Sequence, residues 1–307
     1  IVMFKQRRSI ALIIALIGFM FALPTANAFD TTLIPVEFNE YDGYVALSKE
    51  TDTELLANGY TNENIAEIRQ ISFVDAIYER SFYSDIELQG LGYSKQEINR
   101  FHEINRLGKN QITENDLRAL SGTCTGDAEL VSWSASKIII SYTWEWDHSP
   151  ILCYVDAMGV RWAAIGTDGA VIDTTADAQQ TEAMLLYYDQ QGESLVYSYQ
   201  PNFVQDASFN TISANFPVVD STTHAWAKKG ELDVCIRKDP SITRSIYYVK
   251  FAGLYGHSQV TIGAPSISVT PGSDSISFSF TGGISINNIA GCKYKIYAGG
   301  RKEPILA

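Results

Sequence analysis

Positive charge, histidine and closely paired cysteines are all scarce in this sequence. Lysine and arginine number 23 against 35 aspartates and glutamates, for a formal charge of −12 at pH 7. No cluster of Lys and Arg interrupts that acidity in the body of the chain, so a phosphate backbone finds no landing surface and nucleic acid is disfavoured as a partner. Histidine occurs only 4 times, and no His-Glu-x-x-His or other close pair supplies a metal site. No Gly-x-Ser-x-Gly elbow presents a nucleophilic serine. Neither a catalytic set nor a cofactor motif is legible.

The 4 cysteines are Cys124, Cys153, Cys235 and Cys292. None lies in a C-x-x-C pair, which removes zinc knuckles and thioredoxin-like chemistry. In an exported chain the expectation is two disulfides. Three pairings are open, and sequence neighbourhood favours Cys124–Cys153 with Cys235–Cys292. Free thiols buried in the core are the alternative.

Export is read from the first residues. Lys5, Arg7 and Arg8 form a basic head, Ile10 to Leu23 an apolar run, and Ala26-x-Ala28 a small-x-small cleavage pattern. The apolar run is short for a bilayer span of about 20 residues, so residues 1–28 read as a signal peptide with cleavage after Ala28. Met3 reads as the start codon's residue. Loss of three positive charges takes the formal charge from −12 to −15. No second apolar stretch is long enough to span, so no membrane span is expected in the mature chain, and no cysteine near Ala28 offers a lipid anchor.

Residues 29–50 read as an extended segment, 51–120 as a helical repeat module and 121–307 as a β-sandwich-like domain. The repeat is visible in Asp52 to Ile68 and Asp85 to Phe101, offset by 33 residues: Asp-x-Glu-Leu, three residues, Gly-Tyr, Thr or Ser, then Ile. Gly59 tolerates the left-handed conformation that ends a helix, and Thr61 caps the next one. Ile65, Ile68 and Ile71 then follow near helical spacing. Ser94 with Glu97 forms a capping box ahead of Ile98 and Phe101. A third, partial start has Thr113 as cap, Asp116 in the third position, and Leu117 and Leu120 inward. Tyr60 and Tyr93 pack over the turns. The unit resembles small three-helix folds of the ubiquitin-associated type, in which the loop can carry partner contacts. His102, with no second ligand beside it, reads as part-buried structure.

After Leu120 the pattern changes to strands. Lys137 to Trp146 alternates Ile138, Ile140, Tyr142, Trp144 and Trp146 against Ile139, Ser141, Thr143 and Glu145, a half-buried strand. Residues 183–200 read as a hairpin turning near Gln191-Gly192, and Asp168-Gly169 is a second turn. Leu232, Val234 and Ile236 alternate against Asp233, Cys235 and Arg237. Many short strands without intervening helices argue for an antiparallel sandwich, making the whole chain α+β. The stretch Tyr142 to Ala163 (YTWEWDHSPILCYVDAMGVRWA), the later pair ELDVCIRKD and YYVKFAGLYGHS, and the preceding GYTNENIAEI resemble uncharacterised exported proteins of Gram-positive bacteria. That resemblance implies an architecture and an extracellular location; it brings no activity and no catalytic residues.

No residue pattern completes a catalytic set. His257 and Ser258 are adjacent, but neighbours on a strand point to opposite faces, which counts against a dyad. Asp168, Asp173 and Asp177 sit in one segment where calcium could be held; a solvated turn is the preferred explanation. Glu145 and Asp147 share a strand face, as paired glycosidase carboxylates would. The Ser/Thr-rich stretch SISVTPGSDSISFSF has the composition of a membrane-inserting hairpin, but each half is shorter than a spanning strand. Aromatics lead further. Trp144 and Trp146 belong to the core by parity, whereas Trp226 lacks an apolar alternation and is expected at the surface with His224 beside it, as ligand contacts. The expectation is a secreted, non-enzymatic protein that binds a glycan or a protein. The alternatives are a hydrolase with an unrecognised site and a membrane-active β protein. The exported chain is expected to begin at Phe29, and N-terminal sequencing of secreted material checks this; an N-terminus upstream of Ala28 would count against cleavage there.

Overall fold

The structure is a computed structural model that describes residues 37–189, 195–206, 210–260, 266–269, 276, 278–281 and 289–305. The signal segment and the Gln191-Gly192 turn lie outside the described residues. The chain is α+β: helices come first, and antiparallel sheets follow.

Seven helices are described: α1 (Glu40–Lys49), α2 (Asp52–Ala57), α3 (Asn62–Ile68), α4 (Phe73–Arg80), α5 (Asp85–Gly90), α6 (Lys95–Leu107) and α7 (Glu114–Leu120). Their starts are fixed locally. Thr51 with Glu54, Thr61 with Asn64, Ser84 with Glu87, Ser94 with Glu97 and Thr113 with Asp116 all form capping boxes, each satisfying backbone N–H groups that the first turn leaves open. Gly59 and Gly92 end α2 and α5 at φ of 89° and 90°, a conformation that side chains disfavour. The next N–H in each case, from Tyr60 or Tyr93, donates back to Leu55 or Leu88 at 3.0 and 3.1 Å.

The segment 29–50, expected to be extended, is instead helical over Glu40–Lys49. Asn39 caps it by accepting from the N–H groups of Tyr41 and Asp42, and Glu40 and Asp42 sit in the first turn, where acidic charge suits the helix dipole.

One sheet has the order β1-β2-β3-β11-β7-β8, built from β1 (Phe38–Asn39), β2 (Thr123–Trp133), β3 (Lys137–Trp146), β7 (Glu182–Tyr188), β8 (Leu195–Tyr199) and β11 (Trp226–Lys238), with β6 (Thr174–Ala176) also on β11. The other has the order β16-β15-β12-β4-β10-β9, from β4 (Val155–Gly166), β9 (Phe203–Asp206), β10 (Thr211–Pro217), β12 (Ile246–Gly256), β15 (Ile289–Tyr297) and β16 (Lys302–Pro304), with β5 (Val171–Ile172) on β4. A short pair, β13 (Ser266–Val269) and β14 (Phe278–Thr281), lies apart.

Side chains of the two large sheets meet. On β3, Ile138, Ile140, Tyr142, Trp144 and Trp146 are all buried. Trp144 stacks on Phe216 of β10 at 5.4 Å and tilts against Tyr255 of β12 at 4.4 Å. Such ring pairs are worth about 0.5–1.5 kcal/mol beyond their area. Tyr142 passes close over β12 at Gly253, where an added Cβ would stand 2.2 Å from its Cδ2. The helices join this core: Phe73, Ile77, Leu88, Tyr93, Phe101 and Leu120 share one apolar cluster with the sheet residues. Because Tyr142 is fully buried and cannot swing away, Gly253→Ala is expected to destabilise by about 1–3 kcal/mol. The urea midpoint measures it, and an unchanged midpoint would refute the close approach.

Candidate functional site

The densest set of titratable side chains lies in a seam between the helices and the sheets. Glu40 opens α1, Asp156 stands on β4 and His257 follows β12; all three are fully buried. The His257 ring donates from Nδ1 to Asp156 Oδ2 at 3.0 Å and faces Glu40 Oε1 with Nε2 at 3.4 Å. Burial by itself would lower the pKa of this ring, but Asp156 and then Glu40 outweigh it, and the pKa is raised from 6.5 to about 10. An imidazolium is therefore held between two carboxylates at neutral pH.

Both carboxylates take further hydrogen bonds. Glu40 takes the backbone N–H groups of Ile151 and Leu152, both at 2.7 Å. Asp156 takes the N–H of Ser258 at 2.8 Å and the hydroxyl of Tyr255. Tyr255 in turn accepts from Trp146 Nε1 at 2.9 Å. Gln259 Nε2 donates to the Glu40 carbonyl at 2.7 Å. Phe38 and Trp146 close the ring faces of His257. Next to it, Arg80 donates to Tyr93 Oη at 2.7 Å and to the carbonyls of Ser149 and Pro150 at 3.0 Å each.

This arrangement has the parts of a catalytic triad and none of its access. Ser258 Oγ donates to the Val260 carbonyl at 2.7 Å, away from the imidazole, so the adjacent His257 and Ser258 form no dyad. Burial raises the thiol pKa of nearby Cys153 to about 12, against the pull of Arg80, and that of Cys124 well above its ordinary value, with Asp156 adding to the effect. Neither is a thiolate nucleophile at neutral pH.

The disulfide expectation is not met. Cys124, Cys153, Cys235 and Cys292 are all free thiols. Cys235 lies on β11 in one sheet and Cys292 on β15 in the other, and each is absorbed by packing. A core this extensive needs no cross-links to close it.

Trp226 also differs from expectation. It is 1% exposed, and its Nε1 donates to the Gly90 carbonyl at 2.9 Å, fastening β11 to the end of α5. Its lack of alternation has a structural cause: Trp226 and Ala227 pair in unbroken register with Tyr188 and Tyr187 and so face opposite sides, yet both are buried. His224 is exposed beside it, at φ 58° in the turn closed by Asp220. The two do not form a joint surface. His102 is exposed as well, bonded to Asp85 at 2.8 Å.

The other candidates disperse. Asp168 pairs with Arg244 at 2.9 Å and Asp177 with Arg237 at 2.5 Å, so the three aspartates do not converge. Among the described residues no group of three or more His, Cys, Asp or Glu could hold a metal. Asp147 is committed to the backbone N–H groups of Thr123 and His148. A depression of about 670 Å³ lies by Ser136, Asp173, Thr175, Lys238 and Ile242, without a His. Among the described residues no helix is long and apolar enough to cross a membrane.

One aromatic group does reach the surface. The β12–β4 register shifts between Ile246 and Tyr248, leaving Tyr247 without a partner on β4. Tyr247, 52% exposed, then stands with Tyr248 at 5.8 Å and Tyr297 at 5.6 Å. Lys295 Nζ lies 5.7 Å from the Tyr248 ring, and Arg301 lies 3.9 Å from that of Tyr297. Tyr297 Oη donates to Glu303 at 2.7 Å. No local sequence signal marks this group, because its members come from two strands and a bulge.

No protein-family model and no curated protein matches the sequence. Among solved structures the chain is similar at 11% identity to AvmM, which catalyses macrocyclization in alchivemycin A biosynthesis; the alignment covers 60% of this chain and 93% of that one, with a TM-score of 0.25. A likeness of that size carries no argument about fold or chemistry.

The seam makes a thermodynamic prediction. Removing one member of a buried, hydrogen-bonded ion pair costs about 3–5 kcal/mol, so His257→Gln is expected to lower stability by that order near pH 6. The folded pKa lies above the unfolded one. The advantage of the wild type is therefore complete below about pH 6.5 and fades as pH rises toward 10. Urea unfolding of both proteins across that window tests it; a constant gap would show that His257 is not charged in the fold.

Proposed function

We propose that this protein is an exported, non-enzymatic glycan-binding protein, with a tandem helix–turn–helix module docked on a two-sheet antiparallel sandwich. It shares the general plan of the exported Gram-positive proteins that its motifs resemble. The observation that carries the binding role is the bulge at Tyr247. A bulge costs a ladder hydrogen bond and re-aims a side chain; here it sets two successive tyrosines beside a third on the neighbouring strand. The exposed ring of Tyr247 can stack on the apolar face of a sugar, while Arg301 and Lys295, lying over the rings of Tyr297 and Tyr248, bring hydrogen-bonding groups beside it.

The hydrolase alternative loses support because the His257–Asp156–Glu40 constellation is fully buried and Ser258 turns its hydroxyl to the Val260 carbonyl. A glycan array probed with the mature chain tests the reading. Tyr247→Ala and Tyr297→Ala are each expected to weaken a bound glycan by about tenfold while leaving the urea midpoint unchanged. No glycan bound below millimolar concentration, or binding indifferent to both substitutions, would remove the proposal.

A further inference from the structure

The helical region exposes an apolar group of its own. Phe82 and Ile86 are each 60% exposed, and Tyr83 is 43% exposed. They stand on the turn between α4 and α5, and that turn is braced on all sides. Phe82 and Tyr83 donate their N–H groups to Glu79 and Arg80 at 3.1 and 3.0 Å. The Ser84 N–H is fixed by Glu87 at 2.7 Å. From α6, Asn105 donates to the Ser81 carbonyl at 2.9 Å, and His102 bonds Asp85. Tyr78 meets the Phe82 ring edge-on at 5.1 Å. The three side chains are presented on a rigid support, which lowers the entropic cost of binding.

The fold does not require them to be apolar. The offset of 33 residues that aligns the two Gly-Tyr copies places Lys49, Glu50 and Thr53 where the second copy has Phe82, Tyr83 and Ile86. The first copy opens its helix with the same capping box while carrying polar side chains there, with α1 running on to Lys49 where α4 ends at Arg80. The apolar character of the second turn is therefore an addition to the unit.

Charge selects the occupant. The exposed acids along the turn are Glu79, Asp85 and Glu87, with Asp85 bonded to the exposed His102 of α6. The one base of that stretch, Arg80, points inward to Tyr93, Ser149 and Pro150. An apolar centre with an acidic rim fits a basic amphipathic segment. The same rim repels an anionic bilayer and a second copy of a chain whose formal charge is −12. We propose that the Phe82–Tyr83–Ile86 turn docks a cationic amphipathic helix of a partner protein. This site is separate from the tyrosine group on β12 and does not depend on it.

The test uses the mature chain with a synthetic amphipathic helix of leucine and lysine, its leucine–glutamate counterpart, and anionic vesicles. The matched variant is Phe82→Lys, Tyr83→Glu and Ile86→Thr together, which installs the side chains that the first copy already carries at these positions. Calorimetry is expected to show binding of the lysine peptide, weakened at least about tenfold in the variant and also by salt, with the urea midpoint unchanged. The idea is overturned by no binding to the wild type, by equal binding to wild type and variant, by equal binding of the glutamate peptide or of vesicles, or by a wild-type dimer that the variant abolishes.

Discussion

A protonated histidine sealed between two carboxylates governs how this molecule is assembled. The three groups come from the first helix, the fourth strand and the end of the twelfth, so none can be withdrawn without leaving charge in an apolar setting. A buried ion pair adds little net stability over a well-packed hydrophobic substitute, but breaking one is costly. Its effect is selective: it admits one placement of the helices on the sheets and penalises others. Around it, Arg80 reaches backbone carbonyls beyond β3, and Trp226 reaches the last carbonyl of α5. Polar contacts with fixed geometry thus surround an apolar core that by itself would tolerate sliding.

The two Gly-Tyr copies show how one local solution serves different surroundings. Both end a short helix at a positive-φ glycine and start the next with a capping box. Tyr93 then enters the seam, where its hydroxyl receives Arg80 and donates to the Leu120 carbonyl at 2.8 Å. Tyr60 lies in a separate cluster with Leu47, Leu55, Ile68 and Val260. The turn that precedes each copy diverges in the same way, polar in the first and apolar in the second. Hydrogen bonds within the unit maintain it, which leaves its outward positions free to differ.

What could be read from the sequence follows the range of the interactions involved. Capping boxes act across three residues and strand alternation across two, so α2, α3, α5, α6, α7, β3 and β11 are legible in linear order, whereas α4, with a single Ser72 cap, is not. Helix α1 is hidden because its signal is the single Asn39 cap, without an apolar stripe. The seam is hidden more deeply. His257 lies 101 residues from Asp156 and 217 from Glu40, and its conspicuous neighbour, Ser258, is not its partner. Trp226 misleads because both faces of the strand are covered where it stands, one of them by the end of α5, which erases the alternation that would mark it as core. The cysteines mislead for another reason: an export signal makes oxidation plausible, yet Cys124, Cys235 and Cys292 are buried in the packing and Cys153 is half-buried.

Fixing the helices against the sheets also determines how the surface groups relate. The tyrosine group on β12 and β15 and the apolar turn ahead of α5 belong to different parts of the chain. Were those parts joined by a flexible linker, each surface would engage a ligand independently, and the gain from holding both would depend on linker length. Here β1 and α1 are continuous, α1 is bonded into the loop before β4, and the helices share the apolar cluster of the sheets. Motion of one surface relative to the other would require withdrawing Glu40 from His257. The spacing of the two groups is therefore a property of the folded core.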